Sequence, residues 1–220
     1  MKKITNKSKL INMIKQIPNI LTLGRLVLTV IFLIMILYAP KYYSDGDVAF
    51  PGFLDWAFII FVISGLTDIF DGMAARRLKV TSKFGRIMDP LVDKVLVCGA
   101  FICFVIIGEP KLFNLDRVAL LIVHVLVAGI LITREAYVTI LRHIAEAKGI
   151  NFAATMSGKL KMFTQTFAIG TVIIRMAHVQ GAAWGYWFTS ITFIIMIIAT
   201  VFSGLRATQR KSWKQVTGGK

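Results

Sequence analysis

The chain has 220 residues, of which 56% are hydrophobic, with a mean hydropathy of +0.72 and a formal net charge of +15. Soluble domains are apolar in about half of their residues or fewer, so this composition excludes an ordinary water-soluble globule and points to one helical membrane domain. Two cysteines, Cys98 and Cys103, lie in one apolar stretch, which excludes a disulfide framework and a zinc-ligand spacing.

Residues 1–17, MKKITNKSKLINMIKQI, are basic, with Ile4, Leu10, Ile11, Ile14 and Ile17 as apolar members. This pattern predicts an amphipathic helix lying at the membrane surface. No cleaved signal peptide is expected, because the next apolar run carries Arg25 and ends in YAPKYY without a small-x-small site. Six apolar segments follow, at 20–39, 53–75, 84–107, 117–141, 160–178 and 186–205. Each approaches or exceeds the roughly 20 residues that cross a bilayer. The connection 40–52, PKYYSDGDVAFPG, reads as a loop from its Pro and Gly content. The chain thus divides into a basic juxtamembrane segment 1–17, a membrane domain 18–207 and a basic tail 208–220.

Charge then predicts orientation. Six crossings put both termini on one side, together with the 76–83 turn and the 142–161 connection. That side collects all but four of the 26 Lys and Arg residues, the exceptions being Lys41, Lys111, Arg117 and Arg175. The acids divide almost evenly. Positive loops stay in the cytoplasm, so both termini are expected there, in a multi-pass protein of the cell membrane. Trp56, Trp184, Trp187, Tyr38, Tyr42, Tyr43 and Tyr186 fall near the opposite ends, as an interfacial aromatic belt would. The net charge therefore reads as topology plus attraction to anionic membrane lipids, and no nucleic-acid partner is expected.

Four carboxylates stand in or beside these apolar segments. Asp68 and Asp71 are three apart, Asp89 and Asp93 four apart, so each pair shares a helix face. A short basic turn separates the pairs. At about 1.5 Å per residue, Asp71 and Asp68 lie roughly 8 and 12 Å from the inner end of the second segment. Asp89 and Asp93 lie roughly 8 and 14 Å from the start of the third. Acids inside a membrane are costly and mark functional sites. Four at matched depth would repel one another, and one or two divalent cations are the natural remedy. The cavity they face is expected to open to the cytoplasm, where a lipid headgroup would sit. Gly72, Gly85 and Ala75 are small residues at which a backbone or ligand can approach closely, and Arg76 ends the helix with a candidate anion contact.

The whole string is Asp68-x2-Asp71-Gly72-x2-Ala75-Arg76-x8-Gly85-x3-Asp89-x3-Asp93. It resembles, position for position, the signature of the CDP-alcohol phosphatidyltransferases. The resemblance implies six transmembrane helices, a site for Mg²⁺ or Mn²⁺ and transfer of a phosphatidyl or phosphoalcohol group from a CDP ester to an acceptor hydroxyl. It implies that Asp68, Asp71 and Asp89 bind metal, that Asp93 joins them and is the general base, and that Gly72, Ala75, Arg76 and Gly85 contact the nucleotide. The family often forms homodimers, so a second copy is an implied partner.

Three further stretches bear on the acceptor. Pro18-Asn19-Ile20-Leu21-Thr22-x2-Arg25 resembles the PNxLTxxR opening of phosphatidylglycerophosphate and cardiolipin synthases within this family. Thr133-Arg134-Glu135 with Leu141-Arg142, and Ser157-Gly158-Lys159-Leu160-Lys161, resemble elements of the former, although Met162 replaces the usual Thr. Thr200-Val201-Phe202-Ser203-Gly204 is similar to them as well. Asn19, Thr22 and Arg25 are thus site candidates. Arg134, Arg142, Lys159 and Lys161 form an expected cationic cluster for a phosphorylated acceptor, with Arg offering bidentate contacts. The resemblance implies CDP-diacylglycerol and sn-glycerol 3-phosphate as substrates. The rivals are another acceptor (phosphatidylglycerol, inositol phosphate or serine) and a cation-coupled transporter, since membrane acids also build ion relays. His124, His143 and His178 are scattered and take no expected role.

Overall fold

The computed structural model describes the backbone of residues 2–44, 52–78, 83–112, 115–149, 155–179 and 181–209. Side chains are described over the same ranges, except that those of 2–18, 41–44, 68–78 and 83–87 are not. Six helices are present and no strand is found among the described residues: α1 (Lys2–Ser44), α2 (Phe53–Leu78), α3 (Lys83–Ile107), α4 (Arg117–Ala147), α5 (Met156–His178) and α6 (Ala183–Thr208).

The ends of α2, α3, α5 and α6 lie within a few residues of the predicted segments, and α4 runs about two turns past its predicted end. α1 departs from expectation. A surface helix over 1–17 followed by a separate crossing was expected, yet α1 is one helix of 43 residues that passes through Pro18 and Pro40. An interior proline removes one helical rung and costs about 3 kcal/mol. Each proline removes only its own rung, and the rungs on either side continue the helix. The loop reading of 40–52 is likewise corrected at its start, since the helix continues to Ser44. Residues 45–51 lie outside the described residues.

Among the described residues four helices are long and apolar enough to cross a membrane, over Asn19–Pro40, Met88–Ile107, Arg117–Ala147 and Ala183–Thr208. In α2 the residues whose side chains are described include the apolar stretch Phe53–Thr67. α5 carries Lys159, Lys161 and Arg175 and does not join that group.

The chain forms two compact units, Met1–Gly99 and Ala100–Lys220, with α3 continuing from one into the other. In the first, Thr29 and Ser64 hydroxyls lie 3.4 Å apart and the Phe32 and Phe61 rings 5.2 Å apart, so α1 and α2 are antiparallel. α1 and α3 run parallel, because Thr22 meets Asp89 and Arg25 meets Asp93 in rising order. Leu33 then lies over Gly99, where a Cβ would stand 2.7 Å from Leu33 Cδ1. Lipid tails are as apolar as leucine, so close packing of this kind, rather than transfer from water, holds such helices together. Phe32, Ile36, Phe61 and Val92 are buried, while Ile20, Leu23, Val27 and Val30 are exposed, as lipid-facing residues would be.

In the second unit, α5 and α6 are antiparallel. Gln165 Nε2 donates to Thr200 Oγ1 at 3.4 Å, and Phe167 meets Phe188 edge-on at 6.4 Å. Trp184 and Trp187, at the start of α6, are exposed, as an interfacial belt requires.

One end of this unit is closed by a buried polar group. Arg175 Nη1 lies 3.2 Å from Glu109 Oε2, and the Lys111 amide donates to the same oxygen at 3.0 Å. The Arg175 guanidinium also stacks 4.4 Å from the centre of the Tyr186 ring. His124 Nε2 donates to the Pro110 carbonyl at 2.9 Å, the only direction open to a carbonyl acceptor. These contacts tie the α3–α4 connection to α4, α5 and α6. Removing one partner leaves a buried charge uncompensated, which costs about 3–5 kcal/mol. Glu109→Gln is therefore expected to lower the melting temperature of detergent-solubilised protein more than the double variant Glu109→Gln/Arg175→Met does. Thermal unfolding of the three proteins checks this.

Candidate active site

The site is built first on α1 and α3. Thr22 and Arg25 stand one turn apart on α1, and Asp89 and Asp93 one turn apart on α3. Thr22 Oγ1 donates to Asp89 Oδ1 at 2.7 Å. Arg25 Nη2 donates to the Asp89 carbonyl at 2.9 Å and lies 3.0 Å from Asp93 Oδ1. Thr22 and Arg25 are buried, whereas the Asp93 side chain is 32% exposed and Asp89 is half-buried. The two acids are thus held by buried donors on α1. Asn19 stands on the same helix, one turn before Thr22.

The other members of the signature can be placed by backbone alone. Asp68, Asp71, Gly72, Ala75 and Arg76 all lie on α2, and Gly85 lies on α3. Their side chains lie outside those described. The helical path of α2 does carry the three-residue spacing of Asp68 and Asp71 that puts them on one face. Among the described residues no group of three His, Cys, Asp or Glu side chains converges. The donors that are described suit a hard divalent cation. Asp89 and Asp93 supply only oxygen, and each carboxylate accepts at two oxygens, so the Thr22 bond to Asp89 Oδ1 still leaves a second oxygen on that residue.

The second group lies on α4, α5 and α6. Arg134 Nη2 donates to Ser203 Oγ at 2.5 Å, and Arg134 Nη1 lies 3.2 Å from Glu135 Oε1. Lys161 Nζ donates to that same Glu135 oxygen. Arg134 passes against Gly204, where a Cβ would stand 3.4 Å from Arg134 Cγ. This gives the Ser203-Gly204 pair a local reason: a hydroxyl for the guanidinium and space for its stem. Thr155 caps α5 by accepting from the Gly158 amide at 3.3 Å, so the helix begins where Ser157-Gly158-Lys159-Leu160-Lys161 was expected to open it.

The structure joins two of the four expected phosphate-binding cations. Arg134 and Lys161 converge on Glu135. Lys161 is buried, while Lys159, two residues away, is exposed and turned to the other side of α5. Arg142 lies about 12 Å further along α4. It is half-buried, and its Nε has no hydrogen-bond partner among the described residues. Sequence reasoning assigned nothing to Glu109, Arg175 or His124. Arg175 carried a signal, as one of four cations stranded on the acidic side of the chain.

Comparison with known proteins bears on the same residues. Residues 15–205 match the family described as CDP-alcohol phosphatidyltransferase. The chain is 32% identical over 191 residues to the CDP-diacylglycerol–glycerol-3-phosphate 3-phosphatidyltransferase of Bacillus subtilis, covering 86% of this chain and 91% of that protein. It is 33% identical over 164 residues to a probable phosphatidylglycerophosphate synthase of Mycobacterium tuberculosis, covering 74% and 68%. A Cereibacter sphaeroides protein with the same name as the Bacillus one is 32% identical over 173 residues, covering 76% and 68%. The match spans the α1 opening, the whole carboxylate signature and the Arg134–Ser203 group, and this multi-pass membrane protein belongs to the CDP-alcohol phosphatidyltransferase family.

Proposed function

We propose that the chain transfers the phosphatidyl group from CDP-diacylglycerol to sn-glycerol 3-phosphate, giving phosphatidylglycerophosphate and CMP. The observation that carries this reading is the intact eight-residue signature, two of whose acids stand side by side on α3 and are held by Thr22 and Arg25. The choice of acceptor is supported by the names of the Bacillus and Cereibacter relatives.

In this reading Asp68, Asp71, Asp89 and Asp93 hold one or two Mg²⁺ or Mn²⁺ ions. Such ions, when bound, would neutralise charge on the diphosphate. Gly72, Ala75, Arg76 and Gly85 receive the cytidine nucleotide. Arg134, Arg142, Lys159 and Lys161 receive the acceptor's phosphate. Asp93 takes the proton of the acceptor hydroxyl on a carboxylate oxygen. The hydroxyl oxygen attacks the phosphorus that bears the diacylglycerol; a bond from oxygen to that phosphorus forms, and the bond to the CMP oxygen breaks. CMP leaves with the electron pair of that bond.

The topology proposed with it has six crossings, both termini in the cytoplasm and a cavity opening there, in the cell membrane. Support comes from the Lys and Arg distribution. The 1–17 segment and the 208–220 tail lie against anionic lipid, flanking the membrane domain 18–207. The protein acts as a homodimer, by likeness to the family.

Three outcomes follow from these roles. Asp93→Asn is expected to lower CMP release by at least about 100-fold, as loss of a general base does, with the protein still eluting as folded. Near-normal turnover would remove Asp93 as base. Arg134→Ala is expected to raise the half-saturating glycerol 3-phosphate concentration about 10-fold or more, since a charge-assisted contact contributes about 1.5–3 kcal/mol. Saturation by CDP-diacylglycerol should stay unchanged, which steady-state kinetics in mixed micelles would read. Chelation should abolish activity, and added Mg²⁺ or Mn²⁺ should restore it.

A further inference from the structure

The opening of α1 carries a role that the signature acids do not explain. Thr22 and Arg25 present one face of α1 to one face of α3, and each reaches a different acid. The rise between Thr22 and Arg25 is about 4.5 Å and that between Asp89 and Asp93 about 6 Å, so the two pairs can meet in register. Arg25 closes the gap by a double contact. One nitrogen, Nη2, takes both the Asp89 carbonyl and Asp93 Oδ1, at 2.9 and 3.0 Å.

The turn being gripped follows a weak point of α3. Pro90 lies inside the helix, directly after Asp89. Its missing amide deletes the rung to the carbonyl of residue 86, and its ring crowds that preceding turn. A helix loosened there, just before Asp89, would let the Asp89–Asp93 turn shift against α1. Thr22 and Arg25 bracket that turn from outside. Arg25 is 2% exposed, so its charge has to be matched by fixed acceptors, and its position is set by them.

We propose that Thr22 and Arg25 are positioning residues: Thr22 fixes the Asp89 carboxylate for metal binding, and Arg25 fixes Asp93 for proton transfer. This rests on the roles given to Asp89 and Asp93 above. Neither residue touches substrate. The two act on different steps, and that separates them from mere packing. Loss of a bond that orients a metal ligand weakens metal binding, whereas loss of a bond that orients a base slows turnover at unchanged substrate saturation.

The test uses the full chain in detergent micelles. Mn²⁺ binding is followed without substrate by the electron paramagnetic resonance signal of the free ion, and kcat and KM are measured with CDP-diacylglycerol and glycerol 3-phosphate. Thr22→Val, nearly isosteric, is expected to weaken Mn²⁺ binding about 10-fold or more, with Thr22→Ser restoring it. Arg25→Lys keeps a buried charge but loses the planar donor group, and is expected to lower kcat about 10-fold with both KM values nearly unchanged. In an Asp93→Asn background, Arg25→Lys should lower the residual kcat no further. Unchanged Mn²⁺ affinity in Thr22→Val would overturn the part given to Thr22. An equal loss of kcat from Arg25→Lys in both backgrounds, or none in either, would overturn the part given to Arg25. Full turnover in Asp93→Asn alone would instead refute the reading of Asp93 as base.

Discussion

A charged arginine inside an apolar helix pair sets the terms for this half of the molecule. Arg25, within the apolar stretch Asn19–Pro40, and Asp93, within Met88–Ile107, pair at 3.0 Å. Neither charge is tolerable there alone. Their contact fixes the register of α1 against α3, and with it the parallel course of the two helices. Thr22 adds a neutral hydrogen bond one turn away, and Gly99 allows Leu33 to close the pair further along. The chemistry expected of the acids and the packing of the helices therefore depend on the same few atoms.

A similar economy governs the group around Glu135. One carboxylate oxygen serves both Arg134 and Lys161, leaving the trio with a single net positive charge. Two cations held side by side would repel; the shared acid lets them stay close. Ser203 and Gly204 give Arg134 its direction. The Glu109–Arg175 pair uses the same logic with a different result. Lys111, Tyr186 and the Pro110–His124 bond surround it, so it ties the α3–α4 connection to the helices around it.

Much of this was legible in the chain. The helices announce themselves by length and hydropathy, because a backbone in lipid has no alternative to helix. The signature acids stand out because charge in such segments is rare. α1 was less legible: Pro18 and Pro40 read as boundaries, yet the surrounding rungs carried the helix through. Thr22 and Arg25 were visible as a motif, but their partners were not. Asp89 lies 67 residues beyond Thr22, and no periodicity within α1 encodes which acid its hydroxyl will meet. Which of the expected phosphate-binding cations share an acid was hidden for a related reason. Lys159 and Lys161 look alike in a string, but two residues on a helix face nearly opposite ways, and only one reaches Glu135. Glu109 and Arg175, 66 residues apart, form a pair that no local pattern declares.

The central claim is that this chain joins a phosphatidyl group to glycerol 3-phosphate. It is tested most directly by supplying the purified protein with CDP-diacylglycerol, Mg²⁺ and, in turn, glycerol 3-phosphate, phosphatidylglycerol, inositol phosphate and serine, while measuring CMP and the lipid formed. The account predicts equimolar CMP and phosphatidylglycerophosphate with glycerol 3-phosphate, and little of either product with the others. CMP formed only with a different acceptor, or with none of them, would contradict it.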